Sequence, residues 1–115
     1  MPGTPGYGRA LEQLIAGELR AYLSYRHSDE PLTYFRSRSQ IEVDFVIGDR
    51  IAIEVKASGR VSDRDARGLS SLAEDVRLQK KIIVCTERTS RRFEAGIDVI
   101  PAVEFLDRLW RDEIV

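Results

Sequence analysis

Two carboxylates and one ammonium stand out by type and spacing: Asp44, then Glu54 after nine intervening residues, then Lys56. They lie in residues 41–58, IEVDFVIGDRIAIEVKAS, which alternate apolar and polar side chains on either side of a Gly48-Asp49-Arg50 break. That is the pattern of two β-strands folded into a hairpin. Side chains alternate with period two, so Ile41, Val43, Phe45 and Ile47 are expected on one face, with Ile51, Ile53 and Val55. The other face carries Glu42, Asp44 and Val46 beside Ala52, Glu54 and Lys56. A two-residue turn at Gly48-Asp49 would set each apolar position against a polar one. A three-residue loop pairs Ile47 with Ile51, Val43 with Val55 and Asp44 with Glu54, and burial of the apolar face selects it. Like charges directly opposite one another repel, and a fold that keeps both usually places a cation between them. Lys56, opposite Glu42 in this register, is the one ammonium on that face of the hairpin.

The rest of the chain bounds what such a face can do. At 115 residues, 43% hydrophobic and 32% charged, it has the size and composition of one ordinary globular domain with a single core. No apolar run is long enough to span a bilayer and no signal-peptide pattern opens the chain, so a cytoplasmic protein with no membrane partner is expected. The lone Cys85 excludes an internal disulfide and a multi-cysteine zinc site; it falls in an apolar stretch and reads as a buried small hydrophobe. His27 is the single histidine and sits in a polar turn, which argues against Ser-His-Asp chemistry. The formal net charge of −1 does not announce a nucleic-acid binder. The cations are nearly all arginine, the exceptions being Lys56, Lys80 and Lys81. Arginine's planar fork suits phosphate, although a GC-rich genome also enriches arginine, and most of the excess is ascribed to that cause.

The elements that must position the hairpin follow in order. Residues 1–8, rich in Pro and Gly, read as a flexible leader. From Arg9 to about Arg26 the spacing predicts a helix whose apolar stripe holds Leu11, Leu14, Ile15, Leu19, Tyr22 and Leu23. Glu12 and Glu18 lie within or beside that stripe, either as rim residues reaching solvent or with one turned toward the hairpin's carboxylates. Residues 32–38 read as a first strand, closed by a Ser39-Gln40 break. After the hairpin, Ser62 as N-cap and Asp65 in capping-box position open a helix to about Val76, with Ala66, Leu69, Leu72, Ala73 and Val76 inward. Gly68 either weakens that helix or permits close packing on the sheet. Residues 81–86, KIIVCT, are a continuous apolar run expected in a strand covered on both faces, reached by a right-handed parallel crossover. A polar loop carrying Arg88, Arg91 and Arg92 leads to a short strand at residues 97–100. Pro101 then starts a helix to about Asp112, with Val103, Phe105, Leu106, Leu109 and Trp110 as its apolar side. The expected fold is α/β, a mixed central sheet flanked by helices in the order α-β-β-β-α-β-β-α, with no repeat and no second domain.

A helix bearing a glutamate, three strands carrying Asp44 and Glu54-Val55-Lys56, then a helix and another strand, resembles the PD-(D/E)XK nuclease superfamily. Val43 stands where that motif has proline. The stretch Gly8-Arg9-Ala10-Leu11-Glu12, ending in Glu18-Leu19, is similar to the first helix of Holliday-junction resolvase-like members, and favours Glu12 over Glu18 as the helix carboxylate. A resemblance over nearly the whole chain is to the uncharacterised nuclease-like domain at the C-terminus of many bacterial and archaeal AAA-type ATPases. It runs through Tyr34-Phe35-Arg36, Glu42-Val43-Asp44-Phe45, Ile53-Glu54-Val55-Lys56 and Asp65 to Gly68-Leu69. The chain has no glycine-rich Gly-Lys-Ser/Thr phosphate loop, so no ATPase activity is expected of these residues; they are either the C-terminal domain of a longer ATPase chain or a short relative that lives alone.

The resemblance implies a restriction-endonuclease-like core and a DNA-cutting site. Hydrolysing a phosphodiester requires a water placed in line and charge stabilised on the phosphate oxygens, and a hard divalent cation held by carboxylates serves both. Asp44 and Glu54 are the expected ligands of Mg²⁺ or Mn²⁺, the Val55 carbonyl joining by resemblance and Glu12 completing the shell or serving a second ion. Lys56 would orient the water or stabilise the transition state. Arg36, Arg88, Arg91 and Arg92 are candidate phosphate contacts. A homodimer would supply the two sites that duplex cutting needs. The alternative is a non-catalytic module that binds DNA, dimerises or docks beside an ATPase, with the polar face merely solvated and Glu42–Lys56 an exposed cross-strand pair.

Overall fold

The computed structural model describes residues 5–38, 40–93 and 95–115. Its centre is a six-stranded mixed sheet: β1 (Leu32–Arg36), β2 (Glu42–Ile47), β3 (Ile51–Val55), β4 (Lys80–Cys85), β5 (Arg91–Arg92) and β6 (Ile97–Pro101), in the spatial order β1-β2-β3-β4-β6-β5. The β1-β2-β3 pairs are antiparallel, β3-β4-β6 are parallel, and β5 lies antiparallel on the outer side of β6. Helices α1 (Pro5–Tyr25) and α3 (Ala102–Trp110) cover one face. A 3-10 turn (Asp63–Ala66) and helix α2 (Arg67–Asp75) cover the other. The two-residue strand β5 falls in the expected polar loop; a pair of arginines carries no apolar period by which a strand could be read.

Two buried clusters share the sheet. One joins Leu11, Ile15 and Leu19 of α1 to Phe45, Ile53 and Phe105; the other joins Leu69 and Leu72 of α2 to Val46, Ala52 and Val99. Strand β4 contributes to both, Ile82 and Val84 to the first, Ile83 and Cys85 to the second, as expected of a strand covered on both faces. Each fully buried Ile or Leu adds about 1.5–3 kcal/mol of burial, which is what fixes the layers. The Cys85 thiol is buried in this sheet.

Several expectations shift at the edges. Helix α1 already includes residues 5–8 of the expected leader; residues 1–4, and Ser39 of the expected break, lie outside the described residues. Leu14 is exposed, because Ala16 rather than Leu14 completes the stripe packed on the sheet. On α3, Phe105 and Leu109 are buried but Val103 is exposed, and Trp110 is partly exposed against Tyr22 and Tyr25. The second helix opens as a 3-10 turn in which the Ser62 N–H donates to the Asp65 carboxylate at 3.0 Å.

The hairpin adopts the three-residue register: Ile47 faces Ile51, Val46 faces Ala52 and Phe45 faces Ile53. Gly48 and Asp49 both turn with φ of 56°, and the Arg50 N–H donates to the Ile47 carbonyl at 3.1 Å. The expected single apolar face is corrected at one residue. On the β1 side, Thr33 pairs with Val46 but Phe35 pairs with Val43, so β2 contains one extra residue opposite Tyr34. This bulge reverses the side-chain alternation, and Val43 packs under α2 with Val46, not under α1 with Phe45. The expected Val43–Val55 pair is therefore split between the two clusters.

Gly68 sits where α2 touches the bulged strand. A Cβ built on it would fall 2.2 Å from the Glu42 carbonyl oxygen, a backbone atom that cannot swing aside. Gly17, exposed on α1, has nothing within 4 Å of the same construction. Opposite outcomes are expected in urea unfolding: Gly68→Ala destabilises by about 1–3 kcal/mol, whereas Gly17→Ala stabilises by up to about 1 kcal/mol.

Candidate functional site

The β2–β3 ladder ends at Phe45–Ile53, one pair before the acids. Beyond it, side chains replace the main-chain bonds. The Val55 N–H donates to Asp44 Oδ2 at 2.8 Å, and the Asp44 N–H donates to Glu54 Oε1 at 3.3 Å. Each carboxylate thus anchors the other strand's backbone, which holds the two acids together where the strands part. The bulge in β2 and the last buried residues of β3 produce this parting locally.

The parted strands open a cleft of about 580 Å³ between the first half of α1 and the start of α2. Asp44, Glu54, Val55 and Lys56 form its floor, Glu12 reaches it from α1, and Arg64 and Arg67 line it from the opposite side. All five residues expected around the metal, Glu12 included, meet in this one cleft. Glu18 does not: its carboxylate accepts the Trp110 indole N–H at 3.1 Å, on the far side of α1's contact with α3.

Among the described residues Glu54 is the one buried charged side chain, with 6% of its surface exposed. Burial, and next the hydrogen bond and charge of Asp44, push its carboxyl up to about 9, only partly opposed by Lys56. At neutral pH Glu54 therefore holds a proton. Glu12 is raised as well, first by desolvation and then by the charges of Asp44 and Glu42. The cleft is an environment of excess negative potential that a proton now relieves and a cation would relieve better.

As a metal centre the donor set is spare. Among the described residues, no three His, Cys, Asp or Glu side chains are grouped to hold an ion. Two carboxylates with a main-chain carbonyl nevertheless match the preference of Mg²⁺, which keeps several waters and takes one or two protein carboxylates. The residues fit such an ion through Asp44, Glu54 and the Val55 carbonyl, with Glu12 beside them.

The Glu42–Lys56 pair of the non-catalytic reading does not form among the described residues, because the ladder does not reach it: Glu42 instead accepts from the Arg36 Nε at 2.7 Å across β1–β2. Two other candidate arginines are also engaged. Arg91 grips Glu87 with Nε and Nη2, both at 2.9 Å, and Arg92 lies 3.3 Å from Asp98. Glu87 accepts the Val61 N–H too, and these bonds hold its carboxyl at about 2. Arg88 is exposed. None of Arg88, Arg91 or Arg92 lines the carboxylate cleft. Arg64 and Arg67 do, and they went unnoticed in the sequence because they read as the solvent side of a helix start; the signal was their three-residue spacing beside Asp65.

A family model covering residues 7–105 matches the chain, spanning the α1 glutamate, the hairpin, α2 and the strands that follow. The chain belongs to the family described as domain of unknown function DUF4143. Comparisons with curated proteins and with solved structures returned no match. Membership in DUF4143 agrees with the AAA-ATPase-associated resemblance and places the carboxylate cleft wholly inside the matched span. Among the described residues, no helix is long and apolar enough to cross a membrane.

The raised Glu54 makes stability depend on pH. The folded state holds a proton that the unfolded chain releases near 4.5, so stability is full below that value and falls as pH rises toward about 9. Urea midpoints of the metal-free protein should decline across that window, and Glu54→Gln, which keeps the shape without the ionisation, should flatten the decline.

Proposed function

We propose that this cleft is the active site of a divalent-metal-dependent nuclease that hydrolyses DNA phosphodiester bonds. The observation that carries the reading is a buried carboxylate pressed against a second one at the floor of an open cleft, with an ammonium beside them. Burying a carboxylate that must stay protonated is costly, and a neutral amide at position 54 could accept the Asp44 N–H without that cost. The cost has a purpose if the pair exists to receive a cation.

A bound Mg²⁺ or Mn²⁺ supplies Lewis-acid stabilisation of charge on phosphate oxygens and a water acidic enough to serve as nucleophile. The Asp44 and Glu54 carboxylates and the Val55 carbonyl would hold it. The chain's own contribution is then positional. The Val55 N–H fixes Asp44 and the Asp44 N–H fixes Glu54, so neither acid needs to reorganise on loading. Lys56, half-buried on the cleft floor two residues after Glu54, offers donors and positive charge to a water or phosphate oxygen. Glu12 adds negative potential from the helix side.

The order of one helix, an antiparallel three-strand run, a crossover helix and a parallel strand supports a restriction-endonuclease-like core. The resemblance read in the sequence favours a role beside an AAA-type ATPase in a longer chain, and a homodimer would suit cutting of both duplex strands. A second reading, a non-catalytic DNA-binding or docking module, draws support from the pairing of Arg36, Arg91 and Arg92 with the chain's own acids and from the lack of a third grouped acid among the described residues.

Cleavage of labelled DNA with Mn²⁺ separates the two. Asp44→Ala and Lys56→Ala should each lower the rate by about 100-fold or more while leaving the circular dichroism spectrum unchanged. Cleavage that survives both substitutions would remove the nuclease reading.

A further inference from the structure

The bulge that turns Asp44 into the cleft also places a bare aromatic ring beside it. Tyr34 is the β1 residue opposite the extra residue of β2, and its neighbours Thr33 and Phe35 take the flanking pairs. It is 72% exposed. Other exposed aromatics have partners: Tyr25 and Trp110 contact each other, and Arg26 lies over Tyr25. Among the described residues no ring, cation or hydrogen-bond partner holds Tyr34. A single exposed ring is unremarkable on a protein surface; its location is what matters. Tyr34 lines two smaller hollows, of about 240 and 280 Å³, and Asp44 and Glu12 line both of them. The ring therefore borders Asp44 and Glu12 directly, on the β1 side of the acid pair.

The main cleft, which shares Glu12 and Asp44 with both hollows, carries Arg64 and Arg67, spaced three apart at the start of α2. Unlike Arg36, Arg91 and Arg92, neither takes part in an ion pair among the described residues. Two unpaired guanidiniums facing a cluster of carboxylates without joining it are placed for an anion that bridges the cleft. A polynucleotide strand has both features required: phosphates for the guanidiniums and a base face for the ring. A base can stack on Tyr34 only if it has left its own duplex stack.

We propose that Tyr34, Arg64 and Arg67 form a strand-binding track across the acid pair, selective for single-stranded or locally unpaired DNA over continuous duplex. This rests on the reading of the cleft as a DNA site and adds the form of DNA it takes. Phosphates on one side of Asp44 and Glu54 meet Arg64 and Arg67, and an unpaired base on the other side stacks on Tyr34. Stacking tolerates every base, so little sequence preference accompanies the binding.

Fluorescence anisotropy in EDTA, with a labelled single-stranded oligonucleotide and its duplex, tests the track without requiring catalysis. The wild-type chain should bind the single strand more tightly. Tyr34→Ala should weaken single-strand binding by about tenfold or more, and Tyr34→Phe should restore it. Duplex binding should be little changed by either. Arg64→Ala with Arg67→Ala should weaken both and reduce the single-strand salt slope by about 1.4, for two lost phosphate contacts. Failure of wild type to bind the single strand, tighter binding of duplex or of the matching RNA, or wild-type affinity in Tyr34→Ala would each overturn the proposal. Binding that follows the expected pattern without any Mn²⁺-dependent cleavage would leave the track standing and count against the nuclease reading alone.

Discussion

The structure depends on the point where β2 and β3 stop pairing. Up to Phe45–Ile53 the hairpin is an ordinary ladder; one residue later, acid side chains take over the work of the main chain. That exchange explains why two carboxylates can stand side by side inside a small domain. Each is held by a backbone N–H that would otherwise lack a partner, so removing either acid leaves a donor unsatisfied as well as relieving repulsion. The same local irregularity opens the cleft and turns Tyr34 outward. It also brings the Glu42 carbonyl against Gly68, where only a glycine allows α2 to approach.

Charge is distributed around that point with a division of labour. Arginines away from the cleft mostly fasten the fold. Arg50 grips Glu30 through Nε and Nη2 at 2.5 and 2.6 Å, tying the hairpin turn to the segment before β1. Arg91 locks Glu87, which in turn caps Val61 at the entry to α2. The C-terminal end of α1 is closed by Tyr22, which donates to Asp112 at 2.5 Å, and by the Arg26–Asp112 ion pair. Inside the cleft the balance reverses, with acids in surplus and the arginines on its rim unpaired. An overall charge near zero thus conceals a strongly polarised site.

The layers, the hairpin register and the membership of the acid site were legible in the sequence, because apolar periodicity and burial leave few alternatives there. Ile47 opposite Ile51 follows from keeping Phe45 and Ile53 inside; the apolar stripe of α1 left Glu12 and Glu18 both open, and the family resemblance singled out Glu12. The bulge was not legible. Val43 and Phe45 read as members of one alternating run, and an inserted residue is visible only when the partner strand's register is known. Arg36, Arg91 and Arg92 were overvalued as phosphate contacts for a related reason: their acid partners, Glu42, Glu87 and Asp98, are brought near by strand pairing and loop closure that local pattern does not encode. Arg64 and Arg67 were passed over because a helix start rich in charge ordinarily faces solvent.

The central claim is that Glu54, buried beside Asp44, is placed to exchange its proton for a divalent cation. Calorimetric titration of the intact domain with Mn²⁺ near neutral pH, in two buffers of different ionisation enthalpy, reads binding and proton release together. The account predicts a saturable site that releases about one proton on loading and that disappears in Asp44→Asn. Absence of binding, or binding with no proton released and no dependence on Asp44, would contradict it.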